Sequence, residues 1–268
     1  MSIASLPMYD LPEVTSAIDS FWAAMARALE REGVTDVPAG LEREMGLNDQ
    51  WRSPELLLSQ TCGYPLMHEF AGRLSVVATP VFDVPGCDGP NYSSLILVRR
   101  DDAARQLSDL HGRTAAITHT ASQSGYAALR AAVAPLAEDG SFFGQVVESG
   151  GHPNNLAMVA KGEADVCAAD CVTYALLARH RPEAVEALRE IGRSPPAPGL
   201  PFVTRPDAGE ELLERLRTAL FAALWDPGLK SAREALFLAG AEVLPEGAYQ
   251  RILDLEQDAE RRGYAKVA

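Results

Sequence analysis

The stretch from Gly112 to His180 reads "GRTAAITHTASQSGYAALRAAVAPLAEDGSFFGQVVESGGHPNNLAMVAKGEADVCAADCVTYALLARH". Three short apolar runs, "TAAIT", "GQVV" and "DVCAA", are each followed by a longer segment with apolar residues at helical spacing. Strands that alternate with helices predict right-handed βαβ units and a mainly parallel sheet, so this stretch sets the class as α/β.

The same reading extends outward. "RLSVVATPVF" and "YSSLILVRR", either side of the loop-like "DVPGCDGPN", read as strands, with "DDAARQLSDL" as a helix after them. Near the start, Ser2 to Leu6 reads as a strand, and Val14, Ile18, Phe21, Trp22, Met25 and Leu29 mark a helix closed by Gly33. In "SPELLLSQ", Ser53 as a cap, Pro54 at the first helical position and Glu55 in the first turn predict a short helix. "VEALREIGRS" reads as a helix end and a strand. "SPPAPGLPFVTR" then breaks the alternation, and "GEELLERLRTALFAALW", "KSAREALFLAG" and "GAYQRILDLEQDAERRG" read as helices.

A chain of 268 residues, 47% hydrophobic and 23% charged, has the composition of an ordinary globular protein. Its net charge of −13 excludes a nucleic-acid or anionic-membrane surface, both of which need clustered Lys and Arg. An anion site on such a chain has to be built locally, from backbone N–H groups and a few side chains. The four cysteines, Cys62, Cys87, Cys167 and Cys171, lack CxxC and zinc spacing and read as buried free thiols. "MSIASLPMYDLPEV" has neither an export-type start nor a span-length apolar run. The expectation is a cytoplasmic chain as written, and a periplasmic one if Met1 replaces a leader.

In open α/β sheets ligands sit beyond the carboxyl ends of strands. Ser122, Gln123, Ser124 and Gly125 follow "TAAIT" and open a helix. They are either a serine cap or an anion site made by first-turn amides, with Gly125 allowing close approach to the backbone. His152, after Ser149, Gly150 and Gly151, is a structural histidine or a donor to an oxyanion. Asp170 caps the next helix or accepts from a ligand. Met8 and Tyr9, Tyr92 and Ser93 lie at other strand ends; Tyr64 and Trp51 are core aromatics or pocket walls. No GxSxG, GxxxxGK[ST], GxGxxG or HExxH motif is present, so neither cofactor nor metal is expected.

The order of "CGYPL", "YSSLILVRRDD", the Ser-x-Ser-Gly helix start, the Ser/Gly-His turn and "GEADV" resembles the phosphonate-type solute-binding proteins of ABC transporters, over roughly residues 2 to 255. The resemblance implies a type 2 periplasmic binding protein fold with two lobes, 1–97 with 202–268 and 98–201. Crossing strands near Leu97 and Phe202 would hinge the lobes, and a small oxyanion such as a phosphonate or phosphate would bind in the cleft between them. It places ligand oxygens on Ser122, Gln123, Ser124 and Gly125, maps the family's histidine to His152 and lines the cleft with Tyr64 and Tyr92. Asp170 lies near the position of an acidic residue that family members use for aminophosphonates, whereas Leu200 stands where the other is expected. The implied partner is an ABC permease. Two other readings of the fold are a cytoplasmic enzyme resembling those that dehydrate chorismate and a ligand sensor.

Overall fold

The apolar stripe from Ile18 to Leu29 forms helix α1 (Thr15–Arg31), which buries Phe21, Trp22 and Met25 and packs on α7 (Gly209–Trp225) and α8 (Lys230–Ala235). Each large side chain so buried contributes about 1.5–3 kcal/mol. The computed structural model describes residues 2–268, and its contacts divide into two units. The first runs to Asp83 and resumes over Gly199–Glu246; the second comprises Val84–Pro198 and Gly247–Ala268.

The first unit is built on a five-stranded sheet of order β1-β2-β12-β3-β13. Its strands are β1 (Ile3–Ala4), β2 (Leu56–Gln60), β3 (Ser75–Phe82), β12 (Phe202–Thr204) and β13 (Leu238–Glu242). The helix expected after Ser53 is instead β2, and the helix α2 (Leu47–Arg52) lies before it. Leu56, Leu57 and Leu58 are all buried, as in a strand covered on both faces, and an unbroken apolar run carries no helical period. Short helix α3 (Gly63–Met67) follows. In "KSAREALFLAG" only the first half is helical; its end begins β13.

The second unit carries a five-stranded sheet of order β10-β6-β9-β7-β8. Its strands are β6 (Ser94–Arg99), β7 (Thr114–Ile117), β8 (Gln145–Glu148), β9 (Val166–Asp170) and β10 (Leu188–Arg193). Beside it lies a small sheet of β4 (Cys87–Asp88), β5 (Asn91–Tyr92) and β11 (Ala197–Pro198). Helices α4 (Ala128–Val133), α5 (His152–Lys161), α6 (Cys171–His180) and α9 (Gln250–Arg261) complete the unit. "DDAARQLSDL" forms only a turn at Leu107–Leu110, because Asp102 and Asp109 accept hydrogen bonds from the amides of Ala104 and Arg105 and so compete with a helix.

The layers of helix on sheet are those the sequence predicts, but strand pairing is mixed rather than mainly parallel. β7 runs parallel to β8 and β9, and β1 to β2; β6 is antiparallel to β9 and β10, and β12 and β13 are antiparallel to their neighbours. The division of the chain also differs from 1–97 with 202–268 against 98–201. Residues 84–97 fall in the second unit because β6, with Leu97 at its centre, pairs there. Residues 247–268 join it because buried Arg130 holds the Ala265 carbonyl at 2.6 Å and Glu256 at 2.7 Å.

Candidate functional site

The chain leaves β7 at Ile117 and turns through Thr118 to Ser122, whose extended backbone (φ −92°, ψ 130°) and side chain start a helix. Ser122 Oγ accepts from the Gly125 N–H at 3.0 Å, and its carbonyl accepts from Ala127 N–H at 3.0 Å. That wider spacing makes Gln123–Ala127 a π-type turn that continues into α4. The serine cap is therefore real. A strand end, a capped turn and a helix start in this order form the arrangement that suits an anion, although the cap itself takes the Gly125 N–H.

The second turn is tied to the first by backbone. Ser149 N–H donates to the Ile117 carbonyl and Gly150 N–H to the Thr118 carbonyl, both at 2.8 Å. Gly150 takes φ +86°, a left-handed value that favours glycine. The chain then enters α5 with His152 as its first residue, while Ser149 Oγ lies 2.6 Å from Oδ1 of buried Asn155 and steadies the turn. As a result His152 Nε2 stands 2.8 Å from Ser124 Oγ. Two turns that the sequence singles out separately meet at one hydrogen bond.

Burial holds the His152 ring well below the usual histidine range, at about 4, aided by the charge of His119 and opposed by the Ala168 carbonyl. The ring is neutral at pH 7, with Nδ1 out of reach of solvent and lacking a full hydrogen bond. Ser122, Gln123 and Ser124 are buried as well. A β-carbon at Gly125 would fall 2.3 Å from Thr118 Oγ1, so the glycine makes room for Thr118.

Asp170 ends β9, is buried, and its Oδ1 accepts from the N–H groups of Val172 at 2.8 Å and Thr173 at 2.9 Å, capping α6. Its register partner is Ser94, whose buried Oγ lacks a hydrogen bond. Tyr92 is buried on β5 between Cys87 and Ala197. Thus Tyr92, Ser122, Gln123, Ser124, Gly125, His152 and Asp170 all belong to the second unit. Tyr9 and Tyr64 belong to the first. Tyr9 packs edge-on to Phe82 at 5.1 Å and lines a small apolar cavity of about 40 Å³ with Leu6, Phe21 and Phe202. Tyr64 stacks on His68 at 4.0 Å. Trp51 is core, edge-on to Phe70 and donating to Ser59 Oγ at 3.1 Å. Leu200 is buried and its carbonyl accepts from Gln60 Nε2.

Sequence reasoning missed Thr118, whose buried Oγ1 lacks a hydrogen bond beside the turn. Its signal was its place at the carboxyl end of β7.

Compared with known families, residues 3–244 match the model for the periplasmic substrate-binding protein of ABC phosphonate transporters. The chain belongs to this family. Membership gives the protein a solute-binding role, and nothing favours the enzyme or sensor readings over it. No curated protein matches the sequence. Among solved structures, the binding component of an ABC phosphonate transporter from Pseudomonas aeruginosa is 19% identical and superposes with a TM-score of 0.75, covering 97% of this chain and 87% of its own. PhnD1 of Prochlorococcus marinus, solved with methylphosphonate, is 14% identical with a TM-score of 0.72, over 97% of this chain and 98% of its own. A Xanthomonas citri protein solved with chloride is 19% identical with a TM-score of 0.72, over 97% and 98%. These likenesses establish the type 2 periplasmic binding protein fold. Among the described residues, no helix is long and apolar enough to cross a membrane, and no group of acidic, histidine and cysteine side chains could hold a metal ion.

Proposed function

We propose that this family member binds a small oxyanion, a phosphonate, phosphate or related acid, at the Ser122–Gly125 turn and delivers it unchanged to an ABC permease at the outer face of the inner membrane. The observation that carries the reading is the 2.8 Å contact between Ser124 Oγ and His152 Nε2. When the single N–H of the neutral ring sits on Nε2, His152 donates to Ser124 Oγ and the serine's own proton turns toward an anion; this is the ligand-bound tautomer of the proposal, and it gives up the approach of Nδ1–H to the Ala168 carbonyl. The N–H groups of the first turn add further donors, and the neutral ring brings no charge of its own to a protein whose net charge is −13. Charge-assisted hydrogen bonds contribute about 1.5–3 kcal/mol each, so three or four give micromolar affinity after ordering costs.

Asp170 and Tyr92 complete the proposed ligand set within the second unit. Asp170 is the one member whose charge opposes an oxyanion, which suits a ligand that also carries an ammonium group.

Titration calorimetry with inorganic phosphate and methylphosphonate tests the reading. The wild-type protein should bind at least one of them at micromolar concentration, and His152→Ala should bind it about tenfold or more weakly. Mass spectrometry of the mixture should recover the ligand intact. An unaltered affinity in the variant, or a converted ligand, would refute the proposal.

A further inference from the structure

Cys87 and Cys171 lie 84 residues apart in sequence, yet their sulfurs are 3.5 Å from each other. The approach is built by backbone. Gly86 adopts φ +111°, and a β-carbon at that position would fall 2.8 Å from the β-carbon of Cys171, so the β4 segment lies directly against the first turn of α6. Nothing else separates the two thiols. Cys167 is the buried alternative in β9 and Cys62 lies in the first unit.

We propose that Cys87 and Cys171 form a reversible disulfide, a redox clip that fastens the β4–β5 hairpin to the start of α6. Closing it requires the sulfurs to approach from 3.5 Å to about 2 Å, a shift within reach of side-chain rotation and a small backbone adjustment. The hairpin carries Tyr92, paired with Cys87, and α6 begins at the residue after Asp170. The clip rests on the thiol geometry and not on the ligand assigned above.

The two cysteines take different parts. Cys87 is partly exposed and meets an oxidant first, whereas Cys171 is buried. The hydrogen bond with Cys87, followed by burial and the neighbouring Asp170 charge, holds Cys171 protonated well above the usual thiol range. The oxidant is a disulfide. The Cys87 thiolate attacks one of its sulfurs, forming a mixed disulfide and expelling a thiolate. The Cys171 sulfur then displaces the second thiolate from Cys87 as it loses its proton. Two electrons and two protons pass to the oxidant, which leaves as two thiols.

The test uses the full-length chain incubated with oxidised glutathione, followed by maleimide labelling, peptide mass mapping and thermal unfolding. Free thiols should fall from the four of the reduced protein to two. A peptide pair joining Cys87 to Cys171 should appear, Tm should rise by roughly 5–10 °C, and dithiothreitol should reverse all three. Cys87→Ser removes a half-exposed sulfur without opening the core, and it should keep three thiols and an unchanged Tm under oxidation. Four thiols after oxidation would overturn the proposal. So would a mixed disulfide at Cys87 that never closes, or a bridge to Cys62 or Cys167.

Discussion

Thr118 Oγ1 occupies the space in which Gly125 would carry a β-carbon, 2.3 Å from that carbon's position. The end of β7 and the start of the following helix are thereby pressed together, which keeps Ser124 within reach of His152. A methyl group at Gly125 has nowhere to go unless the turn moves. Gly125→Ala should cost about 1–3 kcal/mol in chemical denaturation and weaken phosphate binding, and adding Thr118→Ala should recover part of both losses. Full additivity of the two substitutions would show that this contact does not set the turn.

The depressed pKa of His152 makes stability depend on pH with a definite sign. Folded, the ring titrates near 4; unfolded, near the ordinary 6.5. Between these values the unfolded chain binds more protons, so stability is complete above about 6.5 and is lost as pH falls toward 4. The full effect is on the order of 3 kcal/mol. His152→Gln should show a shallower loss of Tm than wild type between pH 6.5 and 4, with the two curves parallel above pH 7. Parallel curves throughout would mean that the ring is not held neutral by the fold.

Asp170 can be separated into cap and charge. Asn caps about as well as Asp, so Asp170→Asn should retain the hydrogen bonds to Val172 and Thr173 and change stability by less than about 1 kcal/mol. Removing the negative charge should leave phosphate binding equal or tighter and weaken any aminoalkyl phosphonate. Calorimetry with both ligand types on one variant reads this directly; equal losses for both would count against a charge-specific role.

Arg130 anchors α4 to the C-terminal segment, with its side chain 4% exposed and paired to Glu256 at 2.7 Å. Arg130→Ala leaves the Glu256 carboxylate, 14% exposed, without this partner and the Ala265 carbonyl without its donor, and should destabilise the protein by about 3–5 kcal/mol in urea unfolding. A cost below about 1 kcal/mol would show that the segment docks without the pair.

The sequence made some of this legible and not the rest, for physical reasons. Helices α1, α7 and α9 each bury one face, and their period shows it. The capped Ser122 turn follows from strand-then-helix order and side-chain type. Strand β2 was obscured because a strand covered on both faces reads as an unbroken apolar run, and Ser53-Pro54-Glu55 imitates a helix start. Antiparallel β6 and the docking of residues 247–268 on the second unit depend on pairings between distant segments, which leave no local pattern. The Ser124–His152 bond is of this kind: each turn was visible, but their meeting rests on backbone bonds from Ser149 and Gly150 to the end of β7.

The most direct measurement of the central claim is the affinity of Ser124 variants for inorganic phosphate and simple phosphonates by titration calorimetry, with Tm recorded alongside. Ser124→Ala should bind about tenfold more weakly, and Ser124→Leu should give no heat of binding with Tm within a few degrees of wild type. Wild-type affinity in a folded Ser124→Leu protein would contradict the account.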